Sequence, residues 1–466
     1  MAPPVASATA GLSGVATRAR AILRSPLILN GYSLVVSAGM SSALGLVWWM
    51  LAAQIHDAEE IGLNAALIST MMALGSIAQL NLGSILTRYL PTAGSNARRW
   101  ILVSYAIGCA VAIVCCTVFL LGVPVFAPSL GFLWADLWTA AWFVLATVIW
   151  TVFALQDLVL AGLRKAIWLP IENTLFALAK IGLLLVLAAS SLRGLGPFMA
   201  WTLSAAAAVV PVNLLLFGRI LPEHDRAPAA GQGSAQPGSV LRYFWGDSAG
   251  MLFFTIAIGL PPMLILETAG PEHNAVYYLA WTITYSLYMV SKSMGISLVA
   301  EGAVDSRRLP KLAADTFLHT MLMLLVAVTV ILLGAPLILG LFGADYALEG
   351  ANLLRLLALS ALPFGVTSVF LGVARVEGRV TAVAVIQAVM VLLVLGMGIP
   401  LLHLYGIVGM GLAWLAGQSL IAAALVLAAL RRAGWNIHRA GLSWAALLGS
   451  LLVPGHTAGV TQEMIP

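Results

Sequence analysis

The stretch NGYSLVVSAGMSSALGLVWWMLA, Asn30–Ala52, decides how the rest of the chain is read. It contains no charged residue and lies between Arg24 upstream and His56-Asp57-Ala58-Glu59-Glu60 downstream. A helix that crosses the ~30 Å hydrocarbon layer needs ~20 mostly apolar residues. Further stretches of this kind follow at 62–86, 100–123, 136–162, 168–189, 195–217, 243–266, 275–300, 315–342, 350–372, 379–402 and 405–430. Of the 466 residues, 61% are hydrophobic and 9% charged, and the mean hydropathy is +1.01. A soluble domain is about 25% charged. The expected fold class is therefore all-α, a polytopic membrane protein of about 12 transmembrane helices.

The gaps between the stretches alternate in charge. With the N-terminus inside, the retained side holds Arg18, Arg20 and Arg24; Arg88, Arg98 and Arg99; Arg164 and Lys165; Arg219, Arg226 and Arg242; Arg307, Arg308 and Lys311; Arg375 and Arg379; and Arg431, Arg432 and Arg439. The opposite gaps contain only Arg193 and Arg355 as cations, together with Asp57, Glu59, Glu60, Asp136, Glu267, Glu272, Asp345 and Glu349. Lys and Arg are retained on the cytoplasmic side, so an even number of spans with both termini cytoplasmic accounts for the pattern. The net charge of +5 follows from these short basic loops and does not form a nucleic-acid surface.

The longest hydrophilic gap, 218–242, contains Ala-Pro-Ala-Ala-Gly-Gln-Gly-Ser-Ala-Gln-Pro-Gly at 227–238 and reads as a flexible linker. The expected organisation is a disordered cytoplasmic tail at 1–29, a six-span N-lobe at 30–217, a cytoplasmic linker at 218–242, a six-span C-lobe at 243–430, and a cytoplasmic tail at 431–466 whose segment 443–454 lies on the membrane surface. Weak internal matches support two lobes of one orientation. Gly162-Leu163-Arg164-Lys165 closes span four as Gly372-Val373-Ala374-Arg375 closes span ten, and Asn30 and Asp247 stand near the starts of spans one and seven. Such repeats place a cavity between the lobes.

Ionisable residues inside a span cost ~2.5–3.5 kcal/mol on insertion scales and face a cavity or a partner. Asp157, Glu172, Lys180, Asp247 and Lys292 are such residues here. Tyr278, Tyr285 and Lys292 recur at a seven-residue spacing, which returns to one helix face, and Tyr288 sits one turn before Lys292. Aromatic faces pack on sugar CH groups, phenols exchange hydrogen bonds, and an ammonium meets phosphate. The plain alternative is an aromatic belt at the outer interface, to which Tyr277 and Tyr278 belong, with Lys292 snorkelling. Lys292, Tyr285, Tyr288, Arg88, Arg24 and Arg242 are the candidate substrate contacts; topology alone also accounts for the three arginines. Asp157 and Asp247 are candidates for coupling to a proton or sodium gradient. Cys109, Cys115 and Cys116 lie in one apolar span and form no disulfide framework, and the seven histidines form no metal motif. There is no phosphate-binding Walker loop, and the loops are too short for a catalytic domain, so a transporter is expected rather than an enzyme.

Asn30-Gly31-Tyr32-Ser33, Glu59-Glu60-Ile61-Gly62-Leu63, Leu82-Gly83-Ser84, Leu86-Thr87-Arg88-Tyr89-Leu90-Pro91 and Gly162-Leu163-Arg164-Lys165 carry a resemblance. Through them the chain resembles the polysaccharide-transport branch of the multidrug/oligosaccharidyl-lipid/polysaccharide (MOP) exporter superfamily, the Wzx-type oligosaccharide flippases. The resemblance implies two six-helix lobes that open alternately and a cationic cavity. It also implies a polyprenyl-pyrophosphate-linked oligosaccharide as substrate, the bacterial cytoplasmic membrane as location, and a polysaccharide polymerase or glycosyltransferases as partners. By position Arg24, Arg88, Arg242 and Lys292 are the family-like pyrophosphate contacts. A cation-coupled multidrug exporter of the same superfamily is the alternative.

Overall fold

A computed structural model describes residues 26–80, 82–90, 93–134, 137–163, 165, 168–190, 193–226, 237–304 and 306–432, with backbone only at 26–40, 84, 88, 89, 95, 193, 224–226, 237–249, 300, 303, 304, 306 and 432. It is all helical over these residues. The helices are α1 (Pro26–Ile55), α2 (Ala58–Ala78), α3 (Leu82–Tyr89), α4 (Ala97–Phe126), α5 (Leu137–Gly162), α6 (Trp168–Ala188), α7 (Gly196–Leu215), α8 (Leu221–Arg226), α9 (Pro237–Ala269), α10 (Pro271–Val304), α11 (Leu309–Gly340), α12 (Ala344–Val376), α13 (Val380–Tyr405) and α14 (Ile407–Arg432). Ten helices among the described residues are long and apolar enough to cross a membrane. Only a helix, which bonds all its own backbone groups, or a closed barrel can do so.

Helix α11 shows why these residues fold in lipid. Leu324, Val328, Ile331, Ala335 and Leu339 form its buried stripe, and Leu322, Val326, Val330, Leu333 and Leu337 form an exposed one. Both stripes follow the three-and-four spacing of one helix face, and both are aliphatic. A helix in water would be polar on the second.

Helices α1–α7 pack mainly with one another, with α5 against α4, α2, α3 and α7, and with α6 between α1 and α7. Helices α9–α14 form a second bundle around α12, which touches α10, α11 and α14. The bundles meet where α2 packs on α9 and α10 and where α1 packs on α10. One end of the molecule carries Asp57, Glu59, Glu60, Glu267, Glu272 and Asp345, and the other carries Arg98, Arg99, Lys165, Arg219, Arg307, Arg308, Lys311 and Arg379. We call these the acidic and basic ends.

Three features differ from the sequence reading. Span 62–86 is two helices, α2 ending at Ala78 and α3 beginning at Leu82, and between them Leu80 takes a positive φ of 45°. The helices on either side of the break both pack against α5, while Leu80 itself is exposed. Second, the expected linker 218–242 is helical at both ends: a π-helical turn, Leu216–Ile220, runs into α8, and α9 begins at Pro237. Only 227–236 of it lies outside the described residues, as do 1–25 of the N-terminal tail and 433–466 of the C-terminal one. Third, Tyr277 and Tyr278 are not a belt. They are 0% and 8% exposed, because α10 lies between the two bundles and has no lipid there.

Hydrogen bonds join the bundles at the acidic end. Asn274 Nδ2 donates to Gly62 O at 2.8 Å, Gln54 Nε2 donates to Leu341 O at 3.1 Å, and the Glu267 carboxylate accepts from Ser129 N–H at 3.1 Å and Ser129 Oγ–H at 3.2 Å. Gly62 is pressed on the opposing backbone: a Cβ there would stand 1.7 Å from Pro271 O. No flexible side chain can yield at that contact. Gly62→Val is therefore expected to part the bundles at the acidic end without unfolding either. With the three native cysteines replaced, a cysteine placed at Tyr278 should react with a membrane-impermeant maleimide at least tenfold faster in Gly62→Val than beside Gly62. Equal rates would show that the contact does not hold the seam.

Candidate functional site: an aromatic seam between two ammonium groups

Lys180, on α6, is 3% exposed, and its Nζ lies 3.7 Å from the centroid of Trp201, 4.7 Å from Trp48 and 5.4 Å from Phe176. Trp48 comes from α1 and Trp201 from α7, so three helices build the box. The Trp48 indole N–H donates to Lys180 O at 3.1 Å and fixes that ring against α6. No carboxylate among the described residues pairs with the ammonium. Contact with desolvated rings is worth up to ~2 kcal/mol or more, while the effective cost of burying an ion is several kcal/mol. The box lowers that cost without cancelling it.

The rings continue across the bundle interface. Trp48 meets Trp49 edge-on at 4.7 Å, and Trp49 meets Tyr278 of α10 at 4.9 Å. Tyr285 and then Lys292 follow on the same face of α10, the latter about 21 Å beyond Tyr278 at ~1.5 Å per residue. Lys292 is half-buried, with Nζ 4.5 Å from the Phe254 ring of α9 and Arg375 of α12 as a neighbouring cation. A second ammonium, Lys180, which the sequence reading did not rank as a substrate contact, is thus linked through Trp48 and Trp49 to the Tyr278 end of the predicted stripe.

Tyr288 does not join them. It is 0% exposed, stacks on Phe364 at 4.1 Å and shares a 2.9 Å hydrogen bond with Ser360 Oγ, all inside the second bundle. Arg88 is placed on α3 by its backbone alone. Arg24 and the side chains of Arg242 and Asp247 lie outside the described residues.

Asp157 belongs to a separate polar cluster in the first bundle. Gln156, on α5, is fully buried; its Nε2 donates to Glu172 Oε1, and its Oε1 accepts from Asn213 Nδ2 at 2.7 Å. Asn173 and Glu172 are the neighbours of Asp157, and Tyr105 of α4 stands beside Asn213 and both carboxylates. Sequence reasoning named Asp157 and Glu172. It passed over Gln156 and Asn213, although each is an amide within an apolar span and so carried a signal. Among the described residues no group of three or more His, Cys, Asp or Glu could hold a metal, and the three cysteines are free thiols.

No protein-family model matches the chain, and no curated protein does. Solved structures match most of its length. A multidrug resistance MATE family transporter of the MOP superfamily, in an inward-facing conformation, aligns with TM-score 0.62 at 16% identity over 84% of this chain and 96% of its own. A MOP superfamily transporter from Pyrococcus furiosus aligns with TM-score 0.60 at 14% identity over 84% and 93%. A MATE structure in a bent conformation gives 0.59 at 13% over 86% and 94%. The chain has a MATE-type fold. It is a multi-pass membrane protein built as these transporters are.

The cost of the Lys180 box yields a prediction. Lys180→Met keeps the length and apolar stem and removes the unpaired charge, so it should raise the melting temperature of the purified protein in detergent by a few degrees. Lys180→Ala, which leaves a cavity between two indoles, should lower it. A lower melting temperature for Lys180→Met would mean that the ammonium is a net stabiliser.

Proposed function

We propose that the chain is a flippase that carries a polyprenyl-pyrophosphate-linked oligosaccharide, a cell-surface polysaccharide precursor, across the bacterial cytoplasmic membrane by alternating access. One observation carries this: an aromatic seam crosses the bundle interface with an ammonium near each end, the buried Lys180 and the half-buried Lys292. Aromatic faces suit sugar rings and ammonium groups suit phosphate oxygens. Among the described residues no carboxylate pairs with Lys180 or Lys292, which disfavours a cationic drug. The Pyrococcus furiosus transporter, whose reversed pocket polarity suggests a different function, shows that this fold accommodates such a change. The basic end is placed in the cytoplasm by retention of Lys and Arg there. Tight bonding at the acidic end then makes this a state closed to the outside, in which substrate enters from the cytoplasm. A polymerase or glycosyltransferases would handle the glycan before and after transfer.

A cation-coupled multidrug exporter is the second reading, favoured by the multidrug relative and by the Asp157–Glu172 pair. Proteoliposomes with a fluorescent polyprenyl-pyrophosphate glycan separate the two. Wild-type protein should flip the glycan. Lys292→Met and Lys180→Met should each slow flipping at least tenfold, and Lys292→Arg should retain most of the rate. The absence of substrate-dependent flipping across a broad glycan panel, together with efflux of cationic dyes, would install the drug exporter instead.

A further inference from the structure

Arg355 lies eleven residues inside α12, about 16 Å along the axis from Ala344 at ~1.5 Å per residue. Retention of cations on one side does not explain it. It is a cation toward the acidic end, and it stands within a helix long and apolar enough to cross a membrane. Its Nε–H donates to Leu332 O of α11 at 3.1 Å, and an Nη1–H donates to Asn352 Oδ1 at 3.1 Å. The first bond has a local cause. In α11 the Leu332 carbonyl would accept from the N–H four residues on, but that residue is Pro336, which has none. Arg355 caps the orphaned carbonyl.

A cap needs one donor and no charge, and Ser or Thr side chains commonly serve backbone groups freed by proline inside membranes. A guanidinium brings five N–H groups and a full charge. Two of the five are used here, and the other three have no partner among the described residues. No carboxylate among those residues pairs with Arg355, which is only half-buried. Asn352, one turn nearer the acidic end, is exposed. Its Oδ1 accepts from Arg355, so its Nδ2 is left as a second donor beside the guanidinium. We propose that Arg355 and Asn352 bind the phosphate of an anionic phospholipid in the leaflet at the acidic end. The site is separate from the seam and independent of the transported cargo.

The surroundings select a lipid. Leu333, Leu337 and Leu348 are exposed aliphatic side chains on the flanking turns of α11 and α12. Acyl chains lie against such a surface at no cost, whereas an aqueous anion would have to leave water for it. Helical side chains lean toward the N-terminus, which for α12 is the acidic end, so Arg355 reaches toward the headgroups of that leaflet. A guanidinium fork matches the oxygens of a phosphate. A zwitterionic headgroup carries its own cation and leaves the charge of Arg355 unbalanced, while a headgroup with net negative charge balances it.

The test is fluorescence quenching by nitroxide-labelled lipids in phosphatidylcholine liposomes. The full-length protein, its three native cysteines replaced, carries one fluorophore on Leu348→Cys, two turns before Arg355 on the same exposed face. Labelled phosphatidylglycerol should be preferred there over labelled phosphatidylcholine by roughly threefold or more. A fluorophore on Val114→Cys, exposed on α4, should report no preference. Pro336→Ala returns an N–H to Leu332 O and should keep the preference at Leu348→Cys. Pro336→Ala combined with Arg355→Gln no longer needs the cap and should lose it. If that double variant fails to fold, Asn352→Leu, which leaves the cap and the charge in place, should lower the preference at least twofold. A ratio of one in the protein with Arg355 and Asn352 intact, or an equal preference at Val114→Cys, would overturn the proposal. So would an unchanged ratio in the double variant or, where that does not fold, in Asn352→Leu. Displacement of the lipid by millimolar inorganic phosphate would overturn it in favour of an aqueous anion.

Discussion

The hydrocarbon solvent allows no unpaired polar group without a penalty, and the rest of this structure depends on that constraint. It forces the backbone into helices, and it leaves α11 aliphatic on its lipid face as well as its protein face. Charge is driven mainly to two places. Most of it goes to the helix ends, acidic at one side and basic at the other. The remainder goes into bundle interiors, where rings, amides and carboxylates surround it. The two ammonium groups and the Asp157–Glu172 pair are this remainder, which is why function is sought there rather than among the loop arginines.

Helix α2 connects the two bundles, and its polar residues show how. Asn64 donates to Glu60 O and Gly194 O, both at 2.7 Å, and accepts from Phe198 N–H at 3.0 Å, tying the start of α2 to the start of α7. Two residues earlier, Gly62 O receives Asn274 from the other bundle. One turn of α2 is thus bonded to both bundles. Toward its other end, Gly259 of α9 approaches Ala73 of α2 so closely that a Cβ would lie 2.6 Å away. Small residues bring α2 close to the second bundle near both of its ends, and hydrogen bonds between the bundles fasten that contact at the acidic end.

The spans were legible because each must satisfy the same solvent, and a run of ~20 apolar residues has few other readings. Their ends were less so, since α9, α10, α11 and α12 run to 33, 34, 32 and 33 residues and extend past the stretch that hydropathy marks. What hydropathy cannot separate is lipid from protein, because both accept the same side chains. That is why Tyr277 and Tyr278 read as a membrane belt when they face neighbouring helices. Tyr288 was misread for the same reason, its hydroxyl being met by Ser360, 72 positions away. The charge of Lys180 was visible in the sequence. Its box was not, because Trp48 and Trp201 come from helices that only the fold brings together.

Glu172 and Lys180 make the functional argument from one helix. They are eight residues apart on α6, about 12 Å along the axis, and each is buried among groups that leave it electrically unpaired. A chain selected only for stability would pair them or replace both with apolar residues, a change that is often neutral or stabilising. Instead α6 bears the desolvation cost twice. The ammonium is set in rings facing the other bundle, and the carboxylate is set among oxygens inside its own. Opposite charges held apart in this way each lack a counter-charge among the described residues. Because both groups sit on α6, any displacement of that helix moves the buried carboxylate and the ring-boxed ammonium together.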